Sequence, residues 1–140
     1  MNLQLITLQG IKVDHEIYEA TIPTDAGEIG VFPGHEPLVT VAEPGVIVIR
    51  YNRGDSDEKL DYYAISGGIV TISPTGIRVL VDEADSGEDI VESESEAALK
   101  RAIEMRDKAS NQVELEQALE LMDRHAVRLK VAGLRRRRRR

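Results

Sequence analysis

Cysteine and tryptophan are absent from these 140 residues, and there are only one Phe, four Tyr and five Pro. Without cysteine there can be no disulfide and no thiolate nucleophile, and the commonest structural zinc sites lose their ligands. His15, His35 and His125 lie far apart in the chain, so no metal site is predicted. The scarcity of aromatics makes the expected core aliphatic, built from Val, Ile and Leu. No 18 apolar residues run together, and residues 1–12 lack the basic start and apolar stretch of a secretory signal. The expectation is a protein in the cytosol, or one held at a membrane only by its partners.

Recognisable catalytic patterns are missing as well. Neither GxGxxG nor a GxxxxGK loop followed by Ser or Thr occurs, and Gly27-x-x-Gly30 and Gly67-Gly68 read as tight turns at strand ends. No acid, base and nucleophile can be grouped by spacing. The sequence therefore predicts no catalytic residue, no cofactor and no metal.

What is present is a charge asymmetry. Residues 1–120 carry 24 acidic against nine basic side chains, a balance of −15, whereas residues 121–140 set Asp123 against nine basic groups, a balance of +8. The six terminal arginines have three readings: a solvated tail of mutually repelling charges, a contact for an acidic protein surface, or a contact for nucleic acid or anionic lipid. No aromatic side chains accompany the basic run, so no specific nucleic-acid binding is expected.

The chain divides into two halves by period. To about residue 85, turn signals recur every 8–12 residues, among them Thr24-Asp25-Ala26-Gly27, Pro33-Gly34, Pro44-Gly45 and Ser73-Pro74-Thr75-Gly76. They bracket seven short β-rich runs: LQLITL, EIYEATI, IGVF, GVIVIRY, LDYYAIS, GIVTI and IRVLV. That pattern predicts a sandwich or barrel. The polar segment 51–59 reads as a solvent-facing hairpin loop. His35, within Pro33-Gly34-His35-Glu36-Pro37, reads as a surface histidine or as a contact in an interface loop.

From about residue 88, Gly and Pro vanish until Gly133 and helix formers take over. Ser93-x-x-Glu96 predicts a capping box opening a first helix with Ala98, Ala102, Met105 and Ala109 on one face. Asn111 predicts the cap of a second, with a stripe at Leu115, Ala118, Leu119, Met122, Ala126 and Leu129. The short Ser110-Asn111 break favours an antiparallel pair. An alanine-rich seam buries little area, so the hairpin should be marginal alone, suited to docking on the sandwich or rearranging onto another subunit.

The stretch Ile22-Pro23-Thr24-Asp25-Ala26-Gly27-Glu28-Ile29-Gly30-Val31-Phe32-Pro33-Gly34-His35-Glu36-Pro37-Leu38-Val39, followed by Pro44-Gly45-Val46, resembles the signature of the epsilon subunit of rotary ATP synthases, called delta in mitochondria. Gly67-Gly68-Ile69-Val70 and Val79-Leu80-Val81-Asp82-Glu83-Ala84 are similar to that family's second typical stretch. The likeness covers residues 3–85 strongly and the helical half by length, composition and position.

The resemblance implies an α+β protein: an antiparallel β-sandwich of about ten strands over residues 1–86, then an antiparallel two-helix hairpin over 87–134 and an unstructured basic tail over 135–140. It implies a non-catalytic stalk subunit that couples rotation of the gamma subunit to the c-subunit ring in proton-driven synthesis. As part of the catalytic sector, such a subunit lies peripherally on the cytoplasmic face of the bacterial plasma membrane and meets the membrane only through partners. The segment matching the family's ring contact gives Glu28, Ile29, Gly30, Pro33, Gly34 and His35 as interface residues. Arg124, Arg128 and Lys130 match helices that reach acidic loops of beta in the alpha/beta hexamer and inhibit ATP hydrolysis. Relatives that sense ATP carry Asp and Arg where this chain has Val91 and Glu94, so no nucleotide site is expected. The competing reading is a stand-alone sandwich adaptor whose basic tail binds an acidic partner or nucleic acid.

Overall fold

The computed structural model describes residues 1–138. Ten strands come first: β1 (Asn2–Thr7), β2 (Gly10–Glu16), β3 (Glu19–Thr24), β4 (Gly27–Val31), β5 (Leu38–Ala42), β6 (Gly45–Arg50), β7 (Asp61–Ile65), β8 (Gly68–Ser73), β9 (Gly76–Val81) and β10 (Ala84–Ser86). Two helices follow, α1 (Glu92–Asp107) and α2 (Gln112–Arg138). The strands form one sheet in the order β10-β7-β6-β3-β5-β8-β9-β1-β2, with β4 paired to β3. All pairings are antiparallel except β1 with β9, which are parallel.

β3 carries the fold's closure. It pairs with β6 over Glu19–Thr21 and touches β5 only at Thr24–Ala42, so the sheet doubles over there. The two halves enclose one aliphatic core in which Leu3, Leu5, Ile22, Ile47, Ile49, Val70 and Val79 are wholly buried. Each contributes roughly 1.5–3 kcal/mol by leaving water. The alternation along β9, with Ile77, Val79 and Val81 inward and Arg78 and Leu80 outward, is the period-two pattern of a half-covered strand.

Three strands escape the sequence pattern for identifiable reasons. The run EIYEATI is broken at Ile17–Tyr18, where the backbone amides of both residues donate outward, to the carbonyls of Met1 and Arg50. β2 buries only Val13 and so shows no apolar alternation. β10 is three residues long. The polar segment after β6 is a loop with a single 3-10 turn, Asp57–Lys59, held by Arg50, which donates to the Asp55 carbonyl and to Asp57 Oδ1 at 2.9 Å.

The helix starts differ from expectation in one case. Asn111 caps α2 as predicted, its Oδ1 accepting from the Glu114 amide at 2.9 Å. Glu114 reaches back one residue further than a capping box requires, to the amide and hydroxyl of Ser110, and those hydrogen bonds hold its carboxyl below the usual range. Ser93, however, caps nothing: α1 begins at Glu92 behind Val91, which provides no side-chain cap. The buried Ile90 anchors the chain just before this point, so the helix opens ahead of the serine.

The apolar stripes are also shifted. Ala102 and Ala118 are buried as expected, but Met105, Leu119 and Ala126 face water. α2 must serve two neighbours, α1 and the outer face of β6–β7, so its covered surface is wider than one stripe. Val131 is fully buried against Val46, Ala64 and Ile90, with Val127 and Leu134 beside it. The helix does not stop at residue 134. It runs through Arg138, because Arg135 donates to the Gly87 carbonyl at 2.8 Å and Arg136 pairs with Glu92 at 2.7 Å. Of the expected tail, only residues 139 and 140 lie outside the described residues.

Candidate functional site

The predicted interface stretch is built by the β3–β4 hairpin and the loop after it. Thr24 makes the turn, its hydroxyl donating to the Gly27 carbonyl at 2.6 Å and accepting from the Ala26 amide. On β4, Glu28 and Gly30 face solvent while Ile29 packs against the core. The loop from Phe32 to Pro37 then closes over the end of the sandwich. Gly34 adopts φ +84°, a conformation that disfavours a side chain, and its amide donates to the Pro74 carbonyl at 3.0 Å, tying this loop to the β8–β9 turn. Phe32 stacks edge-on against Tyr18, with ring centroids 5.8 Å apart. His35 is half-buried, and its Nδ1 lies 2.6 Å from the Glu36 carbonyl. Glu28, Ile29, Gly30, Pro33, Gly34 and His35 thus belong to one edge and tip, fixed at two places rather than hanging free.

A second surface went unread in the sequence. Cross-strand register aligns Val41 with Ile69, Ile69 with Leu80, Leu80 with Ile6 and Ile6 with Ile11. These five side chains form an outward apolar row across β5, β8, β9, β1 and β2, with Val41, Ile69, Leu80 and Ile11 between 44 and 59% exposed. Leu8 and, at the β5 end, the exposed Val39 extend it, and the rest of the next outward row, Thr71, Arg78, Gln4 and Asp14, is polar. A contiguous apolar band rimmed by polar side chains is a mark of an interaction surface. The signal was available: β8 and β5 carry apolar residues at successive positions, as strands covered on both faces do.

The third surface is already covered by the hairpin. Arg124 pairs with Glu83 at 3.0 Å and Arg128 with Asp85 at 3.6 Å, both across to the sandwich, whereas Lys130 is exposed. Two of the three candidate inhibitory cations are therefore engaged inside this chain.

Between the helices runs a groove of about 350 Å³ lined by Glu94, Ser95, Ala97, Ala98, Arg101, His125 and Arg128. Val91 stands outside it, 48% exposed at the start of α1. Among the described residues His125 Nδ1 and Arg128 Nε are buried without a hydrogen-bond partner. Burial, and then Arg128, Arg124 and Arg101, hold the imidazole below its ordinary pKa of 6.5, against a smaller opposing pull from Glu83. A base with a lowered folded pKa stabilises the packed form above its ordinary value and loses that contribution as pH falls. Acidification below about pH 6.5 should therefore loosen the hairpin, seen as faster amide exchange in α2, and His125→Gln should flatten the dependence. An equal pH slope in the variant would count against this assignment. Among the described residues no group of His, Asp and Glu is arranged to hold a metal, and no helix is long and apolar enough to cross a membrane.

Comparison with known proteins bears on these surfaces. The family model described as the ATP synthase delta/epsilon chain, beta-sandwich domain, matches residues 1–87. The ATP synthase epsilon chain of Herpetosiphon aurantiacus is 34% identical over 139 residues, which is 99% of this chain and 98% of that one. A chain in the cryo-EM structure of the Euglena gracilis mitochondrial ATP synthase, whose description includes the c-ring, superposes with TM-score 0.77 at 26% identity, covering 94% of this chain and 79% of that one. A chain from the Tetrahymena thermophila mitochondrial ATP synthase, described as central stalk and c-ring, shares the fold at TM-score 0.59 and 14% identity, over 93% of this chain and 94% of its own length.

Proposed function

Because the chain belongs to the ATP synthase delta/epsilon family, we propose that it is a non-catalytic central-stalk subunit of a rotary ATP synthase, coupling gamma rotation to the c-ring in proton-driven synthesis. The observation that carries this reading is the uncovered row of Val41, Ile69, Leu80, Ile6 and Ile11. A sheet face of this kind gains free energy when a partner covers it, and the gamma subunit is the partner assigned to it here. Glu28, Ile29, Gly30, Pro33, Gly34 and His35 then form the foot on the c-ring. The Gly34–Pro74 tether favours that role, since a foot that passes on torque has to resist bending.

The helical half is the brake. When it leaves the sandwich, Arg124 and Arg128 join the already exposed Lys130 in being available to acidic loops of the beta subunits, where clustered cations gain from many unlike pairs. The subunit sits peripherally on the cytoplasmic face of the bacterial plasma membrane and is held there by its partners. Val91 and Glu94 leave the start of α1 without the residues a nucleotide would use, so the brake acts without sensing ATP.

Co-purification with the gamma subunit of the same enzyme tests the stalk assignment; a folded chain that binds no gamma would sink it. Deleting residues 111–140 should raise ATP hydrolysis by the assembled enzyme without preventing assembly. Unchanged hydrolysis would remove the brake from the proposal.

A further inference from the structure

Four arginines of α2 meet one short stretch of chain, and they meet it in order. Arg124 pairs with Glu83, Arg128 with Asp85, Arg135 with the Gly87 carbonyl and Arg136 with Glu92. Residues 83 to 92 are a connector that includes the last strand, β10, and ends in the first residue of α1, so the last helix is strapped to the segment that introduces the first. The register has a simple origin. Alternate residues of an extended strand project to one side every ~6.6 Å, and residues four apart on a helix project to one side every ~6 Å. Glu83 and Asp85 can thus face Arg124 and Arg128 as two matched rungs, while the long Arg135 side chain reaches the next position.

We infer that the acidic connector of Glu83, Asp85 and Glu92 is an intramolecular clamp for the arginine face of α2, and that the terminal arginines are its far end. The apolar seat under α2 sets Val131 against Val46, Ala64 and Ile90, with Val48, Tyr62, Val127, Ala132 and Leu134 partly buried around it. The arginine pairs lie beside this seat and add to it. Single exposed ion pairs contribute little, but these lie along one helix and act on one event, the release of the hairpin. The poly-arginine end acquires a role of its own: its first two members extend the clamp beyond the apolar seat. The carboxylates on the connector also occupy Arg124 and Arg128, so a docked hairpin cannot present those two cations to any other acidic surface.

The test uses the isolated full chain, so its failure is separate from failure of the stalk assignment. The absence of cysteine allows Thr71→Cys and Glu120→Cys to be labelled as a fluorescence-transfer pair, one on the sandwich and one on α2. The combined substitution Glu83→Gln, Asp85→Asn and Glu92→Gln should increase the ratio of released to docked hairpin by roughly tenfold at low salt. Sodium chloride at about 1 M, where charges are screened beyond ~3 Å, should bring the unaltered chain towards the same ratio. Exchanging Glu83→Arg with Arg124→Glu should restore docking. Docking by the triple variant equal to that of the unaltered chain would overturn the clamp, and so would indifference of the unaltered chain to salt. Circular dichroism of the triple variant separates release from unfolding, and if that variant fails to fold, the salt dependence of the unaltered chain decides alone.

Discussion

Replacing Ile69 by Lys together with Leu80 by Glu should weaken binding to gamma by about a hundredfold while leaving the sandwich folded. The two residues face each other across β8 and β9 and point outward, 51 and 44% exposed. No core volume is lost, and the introduced charges form a cross-strand pair of opposite sign, which a sheet accommodates. At an interface the same pair has to be stripped of water against apolar neighbours. Loss of central interface contacts alone costs about 2 kcal/mol or more, roughly thirtyfold in affinity, and two desolvated charges add to it. Binding measured by calorimetry against isolated gamma should therefore fall by about a hundredfold. Lys59→Glu, a charge change in the exposed loop between β6 and β7, is the control. Equal affinities for all three proteins would show that gamma uses another face.

The second large effect is on stability. A Cβ on Gly68 would lie 1.9 Å from the Leu80 carbonyl oxygen and 2.9 Å from Leu80 C and Val81 Cα. All three are backbone atoms of the neighbouring strand, so no rotamer change can make room. β8 is interior to the sheet, between β5 and β9, and Gly68 pairs with both Ala42 and Val81. Gly68→Ala should force those strands apart at a cost of about 3 kcal/mol or more, which for a chain of this size is a loss of roughly 10 °C in Tm. Gly54→Ala provides the contrast: nothing lies within 4 Å of its added Cβ, and the loop has no positive φ there. It should be neutral or slightly stabilising, by restricting the unfolded chain. Equal melting temperatures for the two variants would contradict the packing argument.

Much of the fold was legible because β-branched runs and turn residues announce short strands independently of their partners. The same local character made the turns at Thr24–Gly27 and Pro33-Gly34 readable on either side of the short run IGVF. What escaped depends on pairing across long separations. Ile69 and Val70 are both apolar, and only the register to β5 and β9 decides that Val70 enters the core and Ile69 faces out. The apolar row is a property of five strands together, and no single run displays it. The Ser93 cap failed because burial of Ile90, a tertiary contact, fixes where the chain enters α1. The expectation for Arg135 and Arg136 followed from like-charge repulsion, which holds only while nothing opposite is near; Glu92 and the Gly87 carbonyl supply that opposition.

The parallel pairing of β1 with β9 has a consequence for synthesis. Gln4 and Arg78 become neighbours across 74 residues of chain. During translation β1 can form a hairpin with β2 at once, but its other edge stays unpaired until β9 has been made. At 5–20 residues per second that wait is about 4–15 s, not counting passage through the ribosome. For that interval the nascent chain carries an open strand edge, a template for pairing with the wrong chain. The last event in completing the sandwich is then the docking of an N-terminal hairpin onto a strand made near the end of the domain, and such long-range closure is a slow step. Crowded polysomes making this protein should be most prone to misassembly in that window, before Ile77 and Val79 arrive to cover Leu3 and Leu5.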